Sequence, residues 1–438
     1  MPDLNRIRLL WGRVRQTLWW RPAVWSAAAV GAAFASALAD LWVPSDWLPP
    51  FQTEVVDDLL RIMASSMLAV STFSLSVLVN AYASAANAGT PSATRLVVAE
   101  PRSQKAVAVF LAAFIFSIVG FIALGTGRYG APGRMALFMC TLGVLAWVVV
   151  SFMSYIDVLT RIGRVSHTIE TVERATGKTL GRYARAPLSG ARAAAEPPAG
   201  AKPVRSTLTG HVQFVDVDAL QALAEGCDGQ VHVSASPGDL VHPMSPLAWL
   251  LTMADDDGRD ALETGVRKAF VIGAERTIEQ DAAYGLIMLA EIAQRALSPA
   301  VNDPGTAIAV LGSQTRLLVQ TFSAPEDADA KVRDRVTAAP ASPAALVAIA
   351  YEPIARCSAE QFDVMRQLLR HLDALVHNAP PAVAKAAQEL VQRTLARAAR
   401  AGIDAADLSH WDQEARALGL APTSQLTLHL EETAAPRS

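Results

Sequence analysis

Cysteine is scarce. The 438 residues hold three: Cys140 inside an apolar run, and Cys227 and Cys357 far apart in the more polar half. No CxxC pair or disulfide framework can be built from them, which fits a reducing compartment for that half. A dominant charge is also missing. The formal net charge is -3, so no basic field argues for nucleic acid. There is no Walker loop, GxSxG elbow or HExxH, and no dinucleotide fingerprint opens a βαβ unit. None of the eight histidines has metal-ligand spacing. His211, His232 and His242 do fall in one stretch, and a metal site drawing on them is the minor alternative. The chain reads as a protein without catalytic residues, cofactor or metal.

What is present is a strong asymmetry of apolar residues. Residues 1–160 hold nearly all the long apolar runs, and the remainder reads as an ordinary soluble sequence. Crossing about 30 Å of hydrocarbon takes roughly 20 apolar residues in a helix. Four segments qualify, at about 23–43, 58–83, 106–124 and 135–155. Trp25 and Trp42 flank the first, where amphipathic rings favour the interface. The alternative for this first run is a signal peptide, since Ala37-Leu38-Ala39 resembles a cleavage site. The lengths of the basic head and of the apolar run favour a span.

Arginines set the orientation. Arg6, Arg8, Arg13, Arg15 and Arg21 precede the first run, and the next Arg or Lys is Arg61. Arg95, Arg102 and Lys105 separate the second and third runs, only Arg128 and Arg134 the third and fourth, and Arg161, Arg164, Arg174 and Lys178 follow the last. This bias predicts a multi-pass protein of the inner (plasma) membrane with both termini cytoplasmic.

Within the second run Thr72, Ser76, Asn80 and Ser84 recur every fourth residue, with Ser65 before them and Asn87 beyond. On a helix this spacing makes one slowly winding polar face. Polar groups facing lipid are costly, so the face predicts contact with protein or water. Helix packing through small polar residues is one reading; lining an aqueous path in a homo-oligomer is the other. No charged residue sits in the middle of any run, which argues against a proton relay.

The organisation expected beyond the membrane domain (1–160) is a cytoplasmic extension of the last span at 161–180, then a flexible linker at 181–206. That linker is rich in Ala, Pro, Gly and Arg. A small β-rich, barrel-like unit at 207–272 follows, then a helical domain at 273–420 and a loose tail at 421–438. Asp216 caps a short helix, Pro237-Gly238-Asp239 makes a turn into Leu240-Val241, Thr277 with Gln280 forms a capping-box pattern, and Asp303-Pro304 opens a helix. The Gly-x-Val strand followed by Pro237-Gly238-Asp239-Leu240-Val241 is similar to the half-barrel turn of biotinyl and lipoyl carrier domains. No lysine occupies the turn, so the shape is expected without the modification. The fold class is thus an α-helical membrane protein, four transmembrane helices followed by a cytoplasmic α+β region.

Three stretches together resemble a known family: Thr72-Phe73-Ser74-Leu75-Ser76, the loop from Thr90-Pro91 to Gln104, and Gly273-Ala274-Glu275-Arg276-Thr277-Ile278-Glu279-Gln280-Asp281 leading to Ser298-Pro299-Ala300-Val301-Asn302-Asp303-Pro304. They are similar to the bacterial predicted membrane protein family known as domain of unknown function 2254. The resemblance implies four spans and a cytoplasmic half, and no activity. The chain departs from it after the second span, where Asn80 and Thr90-Pro91-Ser92 stand in place of a Gln and a Ser-Pro-Arg.

The candidate soluble site is the cluster Arg276, Thr277, Gln280, Asp281, Asn302 and Asp303. Caps, a helix-dipole partner and an ion pair account for all six, with ligand binding the second reading and catalysis the last. Two functions remain: an oligomeric channel or passive transport protein with a regulatory cytoplasmic half, or a membrane-anchored scaffold or sensor. The expected partners are the lipid bilayer and further copies of the chain, with no nucleic acid.

Overall fold

A computed structural model describes residues 20–42, 53–88, 90–98, 101–127, 129–161, 164–325, 332–339, 342–401 and 403–420. The tail 421–438, expected to be loose, lies outside the described residues. The chain divides into two compact units, Met1–Thr168 and Ile169–Ser438. It is mostly helical, with some sheet in the second unit.

The first unit is built from α1 (Trp20–Ala37), α2 (Ala39–Trp42), α3 (Thr53–Ala88), α4 (Pro91–Val98), α5 (Pro101–Gly125) and α6 (Ala131–Arg161). Pro91, Pro101 and Pro132 stand in the first turns of α4, α5 and α6, where a missing N–H costs nothing. α5 is central, with α1, α3 and α6 packed on it. Three helices are long and apolar enough to cross a membrane: Glu54–Ser84, Lys105–Gly125 and Ala131–Arg161. The fourth expected span, 23–43, is only partly matched. The apolar helix there, Pro22–Ala37, is shorter, the chain turns at Leu38, and α2 resumes the helix before residue 43 leaves the described set.

α3 packs through Val56, Leu60, Met63, Met67, Ser71, Ser74 and Leu78, all buried and spaced by three or four residues. Polar contacts fix the helices to one another. Tyr129 donates to Ala33 O at 2.7 Å, joining α6's leading loop to α1, and Tyr155 of α6 donates to Ser74 O of α3 at 2.6 Å. Asp40 of α2 accepts from the N–H groups of Gly130 and Gly133, both at 2.8 Å, and so caps α6 with a negative charge at the positive end of its dipole. A Cβ on either glycine would stand 2.7 Å from an Asp40 oxygen, so a larger residue at either position would push the carboxylate off its two N–H donors.

α7 (Val165–Arg185), most of which belongs to the second unit, is distinct from α6, which ends at Arg161, so the extension expected at 161–180 is not one continuous helix. Next come β1 (Ala191–Ala193), β2 (Lys202–Arg205), β3 (Gly210–Val215), α8 (Val217–Gly226), β4 (Gln230–Val233), β5 (Leu240–Val241), β6 (Pro246–Leu251), α9 (Asp256–Lys268) and β7 (Phe270–Gly273). After them run α10 (Ala282–Ala296), α11 (Pro304–Ser323), β8 (Arg333–Ala338), α12 (Pro343–Cys357), α13 (Phe362–Asn378), α14 (Pro381–Arg400) and α15 (Ala405–Ala417).

Two expectations are corrected here. The stretch 181–206 is not a flexible linker: it carries the end of α7, a 3-10 turn at Pro187–Gly190, and strands β1 and β2. Sheet pairing rather than a core of its own satisfies that backbone. Nor are the strands a self-contained barrel-like unit at 207–272. They form a five-stranded sheet in the order β1-β8-β4-β6-β2 and a three-stranded sheet, β5-β3-β7. β8 comes from within the helical region and pairs parallel to both β1 and β4. The Pro237-Gly238-Asp239 turn joins strands of different sheets, which removes the likeness to a carrier half-barrel. The core between sheets and helices includes Val204, Leu220, Val231, Ala248, Val266 and Val336, none exposed. α10 to α14 pack into a helical array, with α15 against α13 and α14.

Candidate functional site

The stripe on α3 falls on the outer side of the helix. Thr72, Ser76, Asn80 and Ser84 are all exposed, roughly opposite the buried Leu60, Met67 and Leu78. Large apolar side chains share this outer side of the helix: Ile62, Leu68, Phe73, Leu75 and Val79 are all exposed. Thr72 donates its hydroxyl to Leu68 O at 2.9 Å and Ser65 to Ile62 O at 3.1 Å, each within the helix. The stripe therefore does not pack on the other described helices of its own chain.

The six-residue soluble cluster splits in two. Arg276, Thr277, Gln280 and Asp281 gather before α10; Asn302 and Asp303 lie beyond its other end, across 15 residues of helix, or roughly 22 Å. At the first end the buried Asp281 caps α10, its Oδ1 accepting from Ala283 and Tyr284 N–H at 3.2 and 3.0 Å. Its Oδ2 takes an ion pair from Arg276 at 2.6 Å. Burial pushes the Asp281 carboxyl above its ordinary range, although Arg276 and the two backbone donors pull it down. The Arg276 guanidinium lies 5.3 Å from the centre of the Tyr284 ring. Gly238, at φ 99°, brings the β-turn against this pair, and a Cβ there would meet Asp281 and Arg276 directly. Gln280 does not complete a capping box. Its amide bonds Val215 in both directions, accepting from N at 2.8 Å and donating to O at 3.2 Å, like an added rung on β3. Thr277 donates to Gln213 O at 3.4 Å.

At the far end Asp303 caps α11 through Thr306 N–H, and the Thr306 hydroxyl donates to it at 2.6 Å. Those two bonds hold its carboxyl below the usual range. Asn302 adopts φ 48°, a conformation asparagine tolerates, and accepts from Gln361 at 3.0 Å. Every member of the cluster has a structural task. His211 contacts Gly238 O at 3.1 Å and His232 contacts Thr337 Oγ1 at 3.0 Å. Among the described residues no three His, Cys, Asp or Glu side chains group as metal ligands.

A site not anticipated from the sequence lies on α11. Ser313, Gln314 and Thr315 are buried in succession and Arg316 follows. Arg316 and Ser313 both bond Glu173 of α7, at 2.8 and 2.6 Å. Gln314 donates to Leu286 O of α10 at 3.3 Å, and Thr315 meets Tyr351 of α12 at 2.7 Å and His371 of α13 at 3.0 Å. One turn of α11 thus makes polar contacts with four helices. Burial pushes the Glu173 carboxyl up, but bonds from Arg316 and Ser313 and the charge of Arg316 hold it below the usual range. A shallow groove of about 390 Å³ beside this pair is lined by Glu170, Glu173, Arg174, Gly177, Leu317 and Gln320. The legible signal was a run of four polar residues inside an otherwise apolar helical pattern.

An uncharacterized protein of Mycobacterium bovis is 31% identical over 223 residues, a match covering 48% of this chain and 41% of that protein. An uncharacterized protein of Mycobacterium tuberculosis (strain H37Rv) matches to the same extent, and one from strain CDC 1551 is 30% identical over the same length. The chain spans 41% of the length of these curated relatives. No solved structure matches. Residues 15–374, taking in the apolar helices, the sheets and much of the helical array, match the family described as Predicted membrane protein (DUF2254), and the chain belongs to that family.

Proposed function

We propose that the protein is a homo-oligomeric passive channel of the inner membrane, with the α3 stripes of several copies turned toward a shared aqueous path and the soluble half regulating it. The observation that carries this reading is the outward position of Thr72, Ser76, Asn80 and Ser84. In lipid such a face is costly, and the described helices of the same chain leave it uncovered. In this reading α1 and α2 together, 20–42, form a fourth span of about 34 Å at helical rise. An even number of spans puts both termini on one side, and the arginine bias makes that side cytoplasmic.

A second reading, a membrane scaffold or sensor without transport, draws on the hydroxyl of Thr72, which its own helix already satisfies. Such a face can seal dry against a neighbouring copy. Ion flux through liposomes holding the purified protein separates the two. The channel reading expects flux that falls when Asn80→Leu removes a polar lining group while assembly persists. Flux absent from protein shown to be folded and assembled would favour the scaffold.

A further inference from the structure

Charge on α7 is gathered on one side of the helix. Ile169, Val172, Thr176, Thr179 and Leu180 are buried. The opposite side carries Arg174, Lys178, Arg182 and Arg185, all exposed, at steps of four, four and three residues. Arg182 and Arg185 bond carbonyls of their own helix, and Arg182 also the Thr179 hydroxyl. Among the described residues none of the four has a carboxylate partner. Glu170, exposed one turn before Arg174, does not pair with it, and Glu173 is taken by Arg316. Like charges one turn apart repel on a helix. Elsewhere in the soluble half that repulsion is answered within the chain: Arg356, Arg366, Arg370, Arg393, Arg397 and Arg416 pair with Glu352, Glu414 or Asp412. On α7 it is not.

We propose that the basic side of α7 docks on the anionic headgroups of the bilayer that holds the apolar helices. Chain connectivity keeps it within reach. α6, long and apolar enough to cross a membrane, ends at Arg161 and α7 begins at Val165. Four chain steps span at most about 14 Å. Arg164, exposed between the two helices, adds a fifth cation. The shape of the row favours a lipid surface over a small soluble anion. From Arg174 to Arg185 the charges spread over roughly 16 Å of helix, a spacing that meets several phosphates and converges on none. Basic clusters that follow a membrane span, or lie along an amphipathic helix, are drawn to an anionic leaflet in this way. The attraction fades within a Debye length, about 10 Å at 0.1 M salt, so all four charges are used when α7 lies along the surface. The inference holds for channel and scaffold alike, because it uses only the end of α6 and the helix that follows.

Amine footprinting of full-length protein in nanodiscs tests this, with Lys178 as the probe. Discs of phosphatidylcholine are compared with discs of phosphatidylcholine and phosphatidylglycerol in equal parts. Lys268 of α9 and Lys385 of α14, both exposed, serve as references. Lys178 should react about fivefold more slowly in the anionic discs, the effect of one cation held at an anionic surface. Salt at about 1 M, where the Debye length is about 3 Å, should abolish the difference. The references should react alike in both discs. Arg174→Gln combined with Arg182→Gln should weaken the protection of Lys178; undiminished protection in that variant, shown to be folded, would overturn the proposal. Should the variant misfold, the unaltered protein decides alone: equal reactivity of Lys178 in the two discs, or equal slowing of all three lysines, would overturn it. Slowing of Lys178 by inorganic phosphate in the neutral discs would reveal a soluble-anion site in place of a docking surface, and would overturn it too.

Discussion

Gly285 of α10 offers a sharp test of how α7 is seated. Thr176 of α7, fully buried, lies directly over it, and a Cβ at 285 would meet Thr176 Oγ1 first, with Cγ2 at 2.6 Å and Cβ at 2.7 Å. Thr176 has little freedom to yield, because its hydroxyl donates to Val172 O at 2.7 Å. With three Thr176 atoms inside 3 Å, Gly285→Ala should overpack the contact at a cost in the upper part of the usual range, about 2–3 kcal/mol. Alanine's better helix propensity returns roughly 1 kcal/mol, so the net loss is about 1–2 kcal/mol. For a unit of this size that lowers Tm by roughly 2–8 °C. Thr176→Ala deletes the two nearest atoms and leaves the Cβ, so the double variant should lose less than the sum of the singles, with a coupling of about 1 kcal/mol. Thermal unfolding of purified full-length protein, followed by circular dichroism, reads all four proteins. If G285A matches or exceeds the unaltered protein, or if the two substitutions are additive, the α7–α10 contact described here is wrong.

Asp40→Ala should destabilise the first unit by about 1 kcal/mol through loss of the α6 cap, with Asp40→Asn recovering much of it; equal unfolding of all three proteins in a denaturing-detergent titration would remove that role. Reporters fused at Met1 and after Ser438 should both lie in the cytoplasm and a phosphatase fused at Pro49 should be active outside, whereas termini on opposite sides would leave three spans in place of four.

The sequence carried the helices of the membrane half because burial in lipid demands long uninterrupted apolar runs, and 58–83, 106–124 and 135–155 each fall inside α3, α5 and α6. Local chemistry was equally readable where a side chain bonds its own neighbours. Asp216 caps α8, and Asp303 with Pro304 opens α11. Reading failed where a distant partner decided the outcome. Gln280 looked like half of a capping box, yet its amide is taken by Val215, and Asp281 caps α10 in its place. β1 and β2 looked like linker because their pairing partners, β8 and β6, lie far along the chain. Asp40 went unnoticed since nothing within its own helix marks it as the cap of α6. The polar stripe was visible as a period, but which way it faces depends on the α3 residues buried against α5 and α6.

Whether that face meets water is the most direct test of the channel reading. In a cysteine-free background, single cysteines at Thr72, Ser76, Asn80 and Ser84 are exposed to small aqueous thiol reagents in intact membranes, with Leu75 and Val79, exposed on the same helix but apolar, as controls. Thiolate formation needs water, so the account predicts that the four stripe positions react and the two controls stay protected. Uniform protection of all six, in protein shown to be folded, would contradict it.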